Sequence, residues 1–200
     1  MRELKRRGVK LDSLHALDLF AGTGNTITRD YGPFVKSLEA WEIEPSYEPE
    51  LRKNLPRAQV RIVDSFEQLA NTESRVGLVV ADTWTEMFAG HCEHFELFPK
   101  VFRVLDDSAA LILNIMPEWK VGQYQIEHLR RRRDFYQREN VANIPIDSMV
   151  EVYKNLARQN GFEVRWWFIK DRYLMYDLRR SAKKWRLCHL VLRLEKIKNG

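Results

Sequence analysis

Asp18-Leu19-Phe20-Ala21-Gly22-Thr23-Gly24-Asn25 is the stretch that decides how the rest of the chain is read. It continues an apolar run over residues 15–20 (HALDLF) that reads as a strand. Two glycines one residue apart at the end of a buried strand let the backbone turn tightly. They also let a ligand approach with no Cβ in the way. A helix following them offers free N–H groups to a polar ligand. A dinucleotide fingerprint requires a third glycine, and Ile27 occupies that position. Asp18 would repel a pyrophosphate, whereas its carboxylate suits a ligand carrying an ammonium group. No Gly-x-x-x-x-Gly-Lys-Ser/Thr occurs, which excludes a phosphate-cradling P-loop.

Apolar clusters recur along the chain at 37–43 (SLEAWEI), 60–63 (VRIV), 76–81 (VGLVVA), 109–115 (AALILNI), 162–169 (FEVRWWFI) and 185–194 (WRLCHLVLRL). Several are nearly continuous Val/Leu/Ile runs, the pattern of strands buried on both faces. Between them, Pro45 followed by 47–54 opens a helix. The apolar stripe Phe95, Phe98, Val101, Phe102 and Leu105 predicts a helix over 93–105. A further helix over 149–159 is stopped by Asn160-Gly161. Strand alternating with helix implies a parallel sheet covered on both faces. The last two strands are joined by RYLMYDLRRSAKK, which holds no full crossover helix, so they are expected as antiparallel neighbours. The expected fold is α/β: a doubly wound sheet of five parallel strands plus a C-terminal antiparallel pair, in one domain spanning residues 1–200. A polar segment, 123–138, forms a basic helical insertion near 120–140.

The 200 residues are 44% hydrophobic and 30% charged, an ordinary globular composition that argues against a disordered tail, a collagen-like chain or a repeat array. A chain of this length buries roughly 70% of its unfolded surface and needs no disulfide or metal staple. No apolar run approaches the ~20 residues of a membrane span. The N-terminal MRELKRRGVKLDSLH is positive but lacks the apolar core of a signal peptide. Cys92 and Cys188 cannot build a disulfide framework, and the expected compartment is a reducing cytoplasm. Charge is uneven. Residues 1–100 hold 13 Lys and Arg against 16 Asp and Glu, and residues 101–200 hold 20 against 12. A basic back half is the footprint expected of a surface facing a polyanion.

DLFAGTGN resembles the first motif of class I S-adenosylmethionine (SAM)-dependent methyltransferases, a Rossmann-like family, and the resemblance continues in order over residues 15–118. It implies SAM as cofactor, held at the first motif by Asp18, Phe20, Gly22, Thr23, Gly24 and Asn25. At the end of strand two, Trp41-Glu42-Ile43-Glu44-Pro45 matches the place where the family's acidic residue accepts hydrogen bonds from both ribose hydroxyls. Glu42 fits that place, with Ile43 beside it, and Glu44 is the alternative. After strand three, Asp64, Ser65 and Phe66 look like the element that contacts adenine, with Asp64 accepting from the exocyclic amine. Asp64 reads equally as the N-cap of a short helix. Strand four ends in Asp82-Thr83-Trp84, where the family places the residue nearest the transferred methyl group. The four marks fall at four successive strand ends, the crevice in which open α/β sheets bind ligands.

Methyl transfer from a sulfonium is an in-line displacement, so alignment and exclusion of water dominate. A poor nucleophile also needs a proton acceptor within hydrogen-bond reach. Asp82 is the first candidate and Trp84 a stacking platform for a flat substrate, with Glu86, His91 and His94 as weaker candidates. Asp82-Thr83-Trp84 lacks the Pro-Pro of amino-methylating nucleic-acid enzymes. No Pro-Cys nucleophile stands there either. The close spacing in His91-Cys92-Glu93-His94 does not suit a metal site.

Arg130 and Arg131, within a run of four arginines, and Arg179, Arg180, Lys183 and Lys184 are the candidate substrate contacts. Interleaved with Tyr173, Tyr176 and Trp185, they suit RNA or another polyanion, whose phosphates need charge and whose bases need stacking surfaces. Two alternatives accompany this reading. One is a non-catalytic nucleic-acid- or protein-binding module on the same scaffold. The other is an enzyme using decarboxylated SAM, because residues 60–116 also resemble the aminopropyltransferases.

Overall fold

The computed structural model describes residues 1–25, 27–83, 87–88, 91–92, 94–118, 126–174 and 185–198; at 87–88, 91–92, 172–174 and 185–187 it describes the backbone alone. Its strands are β1 (His15–Asp18), β2 (Ser37–Glu42), β3 (Gln59–Ile62), β4 (Val76–Ala81), β5 (Met87–Phe88), β6 (His91–Cys92), β7 (Leu105–Ile115), β8 (Phe162–Leu174) and β9 (Trp185–Lys196). Its α-helices are α1 (Arg2–Arg6), α2 (Ile27–Tyr31), α3 (Glu48–Asn54), α4 (Ser65–Asn71), α5 (Lys100–Arg103), α6 (Ile126–Tyr136) and α7 (Ile146–Gln159).

Seven strands form one sheet in the order β3-β2-β1-β4-β7-β9-β8, and β5 and β6 pair separately. The chain starts at mid-sheet, steps outward to β3, then returns to lay β4 on the free side of β1. A crevice opens where that order reverses. The pairings from β3 through to β7 are all parallel, and β8 shares their direction, so six strands run one way where five were expected. The last two strands pair with each other antiparallel, as expected. The order of the pair is what local sequence does not specify. β9 folds back between β7 and β8, antiparallel to both, so β8 runs in the same direction as the first five and β9 alone opposes them.

Alternation along the strands sorts the core into two layers. Leu17, Val79, Ala81, Leu111 and Leu113 pack on one face with Val101 and Phe102 of α5 and Met149, Val150, Tyr153 and Ala157 of α7. Ala16, Val80, Ala110, Ile112 and Val191 pack on the other with Leu4 of α1, Tyr31 of α2 and Leu51 of α3. The buried positions of α7 recur every three or four residues, a single apolar stripe. The chain leaves α7 through Gly161, whose φ of +80° an L side chain adopts with difficulty.

Two further expectations are corrected. The helix expected over 93–105 is a 3-10 turn at Phe95–Leu97, then the four-residue α5, and Leu105 already belongs to β7. Pro99 has no N–H to donate, so a helix cannot run through it. β7 also starts four residues before the expected 109, because Leu105 is recruited as a parallel partner of Val76. The polar segment forms α6 over Ile126–Tyr136, and its residues 123–125 lie outside the described residues. Among the described residues no helix is long and apolar enough to cross a membrane.

Candidate functional site

β1 ends at Asp18 and the chain turns through the two glycines. Leu19 N–H donates to the Val80 carbonyl (3.0 Å), Ala21 N–H to that of Trp41 (2.9 Å) and Gly24 N–H to that of Ala21 (2.9 Å). The loop is therefore stitched to both strands that flank β1. Gly22 (φ +56°) and Gly24 (φ +74°) are both left-handed, but they are required for different reasons. A Cβ at Gly24 would stand 2.9 Å from side-chain atoms of Leu51 and Leu55, so this glycine lets the loop press onto α3. A Cβ at Gly22 would meet nothing within 4 Å, so the loop is open on that side to a ligand. Asn54 Nδ2 donates to the Thr23 carbonyl (2.8 Å), and Asn25 Nδ2 reaches Glu50 Oε1 (3.4 Å).

Facing this loop is Glu42, the last residue of β2 and only 8% exposed. Its Oε2 accepts from Gly22 N–H (2.7 Å) and its Oε1 from Glu44 N–H (2.8 Å). Each carboxylate oxygen has a second lone-pair direction, so the group keeps capacity for two further donors. Glu44 instead accepts from Ser46 N–H (3.1 Å) and starts the 3-10 turn Pro45–Tyr47. The Ser46 side chain, and after it the Ser46 N–H, hold its carboxyl below the ordinary value. Of the two acids, it is Glu42 that meets the glycine loop. Ile43, next to it, is 40% exposed.

Asp64 caps α4 through Oδ1, which accepts from Phe66 N–H (2.8 Å) and Glu67 N–H (3.4 Å). Phe66 packs against Phe20, with ring centroids 5.6 Å apart. Ser65 Oγ donates to the Leu19 carbonyl and is buried, so this hydroxyl fastens α4 to the first loop rather than facing a ligand.

Asp18 lies below the loop. It is fully buried and accepts from Thr28 Oγ1 (2.6 Å), Tyr31 Oη (2.7 Å) and Phe20 N–H (3.2 Å). Burial raises its pKa to about 6, against the opposing pull of these three donors. The ammonium partner expected for it is replaced by two hydroxyls from α2, because alternation turns Asp18 into the α1–α3 layer.

Asp18 begins a polar row along the carboxyl edge. Asp82 follows β4, Asn114 lies near the end of β7, and His189 is the register partner of Asn114 on β9. Alternation puts all four on the same face as Ala16, Val80, Ile112 and Val191. His189 Nε2 stands 3.3 Å from Asp82 Oδ1, with 11% and 7% of the two side chains exposed. Asn114 Nδ2 donates to the Thr83 carbonyl. Sequence reasoning named Asp82 as a site residue but neither Asn114 nor His189. The available signal was one polar residue breaking each apolar run near the edge: LDL, LNI and CHL.

Other candidates are placed elsewhere. His94 is a core residue, fully buried, with Nε2 2.6 Å from Tyr153 Oη and the rings of Phe95, Phe98 and Phe135 around it. Arg131 pairs with Glu96 (2.5 Å) and Glu127 (2.9 Å), and Arg130 with Glu127 (2.7 Å) and Asp134 (3.0 Å). Both candidate substrate arginines are thus ion-paired within the fold, Arg130 while remaining largely exposed. Arg132 of the same run is fully buried, and its guanidinium donates to the Met116 carbonyl (3.0 Å). Trp84, Glu86, Tyr176, Arg179, Arg180, Lys183 and Lys184 lie outside the described residues, as do the side chains of His91, Tyr173 and Trp185. Among the described residues no group of three His, Cys, Asp or Glu is arranged to hold a metal ion.

The seven-stranded sheet with one reversed strand inside its far edge is the fold of the class I SAM-dependent methyltransferases. Among solved structures the chain is similar to TYW2 of M. jannaschii in complex with AdoMet, at 16% identity and a TM-score of 0.59, over 98% of this chain and 75% of that one. It is similar to a ribosomal protein L11 methylase of Lactobacillus delbrueckii subsp. bulgaricus at 14% identity and a TM-score of 0.55, over 99% and 77%. A third neighbour is precorrin-6y C5,15-methyltransferase of Geobacter metallireducens GS-15, at 12% identity and a TM-score of 0.55, over 96% and 84%. No protein-family model and no curated protein sequence matches the chain.

Proposed function

We propose that the protein is a SAM-dependent methyltransferase. The observation that carries this reading is Glu42, buried at the end of β2, with its carboxylate on Gly22 N–H and lone pairs left for the two hydroxyls of a ribose. Gly22, with open space where its Cβ would stand, fits the close approach of the ligand's methionine part. The Asp64 cap and the Phe20–Phe66 pair provide an apolar-and-acceptor setting that suits adenine. When bound, SAM would supply an electrophilic methyl group on a positively charged sulfur. The chain's task is to hold the ligand in the crevice between β1 and β4, to align an acceptor beside Asp82 and to keep water out.

For the acceptor, the proposal is a polyanion, RNA first, supported by the 20 basic against 12 acidic residues of the back half. Pairing of Arg130 and Arg131 within the fold moves the weight of that reading to Arg179, Arg180, Lys183 and Lys184. The names of two structural neighbours already differ in acceptor, a ribosomal protein and a precorrin, so the fold leaves this choice to the side chains.

The test is calorimetric titration with SAM and with S-adenosylhomocysteine, followed by transfer of labelled methyl groups to unmodified RNA at increasing salt. Micromolar binding of both ligands and salt-sensitive labelling of RNA are expected. Binding of neither ligand overturns the methyltransferase reading. Labelling that salt leaves unchanged overturns the polyanion reading.

A further inference from the structure

The polar row holds more than the ligand-binding part of the site requires. Asp18 is satisfied by α2, and Glu42 and Asp64 serve the loop and a cap. His189 is different. It is a mostly buried imidazole whose one hydrogen-bond contact among the described residues is Asp82, and Asp82 stands at the strand end beside the glycine loop. It reaches that place from β9, across β7, over a separation of 107 residues. Next to it, Asn114 has its amide orientation set by donation to Thr83, which leaves Oδ1 buried with no partner among the described residues. The row therefore presents a carboxylate-held imidazole and a spare acceptor, and both match a group that arrives carrying hydrogen.

We propose that His189, oriented by Asp82, is the residue that takes the proton of the methyl acceptor, and that the acceptor is accordingly a nucleophile entering with an N–H or O–H bond. This rests on the methyltransferase reading. The acceptor's lone pair forms the new bond to the methyl carbon, the electrons of the carbon–sulfur bond return to sulfur, and the acceptor's proton passes to a ring nitrogen of His189 and then to water. Asp82 keeps the ring in place and offsets the charge it gains, as a carboxylate does for an imidazole base. An acceptor with no proton to lose would have no use for the pair.

Among the described residues the other charged groups near His189 are few. Asp18, on β1, interacts electrostatically with Asp82. Lys170 on β8 is the register partner of His189 and is exposed, and Asp171 follows it opposite Cys188. A positive sulfur arriving beside the pair disfavours imidazolium, whereas the neutral sulfur of S-adenosylhomocysteine does not.

The experiment is calorimetry of SAM and S-adenosylhomocysteine binding in buffers of different ionisation enthalpy, repeated at several pH values. It counts the protons exchanged on binding and needs no acceptor. SAM is expected to expel a fraction of a proton that S-adenosylhomocysteine does not. His189→Gln is expected to abolish that difference while S-adenosylhomocysteine still binds. Asp82→Asn is expected to weaken SAM relative to S-adenosylhomocysteine. Equal proton counts for the two ligands, or a difference that persists in His189→Gln, overturns the proposal while leaving the cofactor site standing. Failure of both ligands to bind overturns the methyltransferase reading itself.

Discussion

Replacing Glu42 by alanine removes the acceptor of two loop amides at once, those of Gly22 (2.7 Å) and Glu44 (2.8 Å). A hydrogen bond to a charged group contributes about 1.5–3 kcal/mol, and the loop is open enough for water to replace part of it, so a stability loss of about 2 kcal/mol is expected. Binding suffers more. Two ribose hydroxyls at about 1.5 kcal/mol each amount to about 3 kcal/mol, which is about a hundredfold in affinity for S-adenosylhomocysteine. Glu42→Gln keeps one acceptor oxygen but turns an NH₂ toward an N–H, so its loss is intermediate, about tenfold. Glu44→Ala removes only the contacts to Ser46 and is expected to change affinity by less than about threefold. Calorimetric titration of the four proteins, with thermal melts to verify folding, decides the matter. An alanine variant at 42 that binds within about threefold of the wild type refutes the reasoning. An equal loss from Glu44→Ala refutes it too.

Asp18 gives a pH signature. The folded carboxyl titrates near 6 and the unfolded one near about 3.9, a gap corresponding to about 3 kcal/mol. The folded state holds the proton more tightly, so this contribution is greatest below the unfolded value and is lost as pH rises through about 6. Urea denaturation across that window should show the wild type losing stability relative to Asp18→Asn, and parallel curves would contradict the assignment. Gly24→Ala forces a Cβ against Leu51 and Leu55 at positive φ and should cost about 2–4 kcal/mol, read by the same denaturation. Gly22→Ala carries only the backbone strain, about 1 kcal/mol, so weakened ligand binding should exceed its effect on folding. Arg132→Ala strands the Met116 carbonyl and opens a void and should cost about 3 kcal/mol, while Arg130→Ala leaves the melting temperature unchanged because its partners face solvent.

What was legible in the sequence was local. Nearly continuous apolar runs mark the central strands, since a strand buried on both faces has no room for polar side chains. The pair Gly22 and Gly24 marks a turn because only glycine enters the left-handed region freely. Glu42, one strand further on, stands at the height of that turn because parallel strands of one sheet end together. The apolar stripe over 93–105 does not make one helix, because such a stripe does not register the proline within it.

Tertiary structure decided the rest, and the reason is partnership at long range. Nothing in residues 185–196 says that this strand inserts between β7 and β8, yet that insertion carries His189 to Asp82. Nothing in DLFAGTGN says that Thr28 and Tyr31 will occupy the Asp18 carboxylate, or that Glu96, Glu127 and Asp134 will pair with two of four adjacent arginines while a third is buried. A charge reads from sequence as available to a ligand. Whether it is available depends on which groups the fold brings within hydrogen-bond distance.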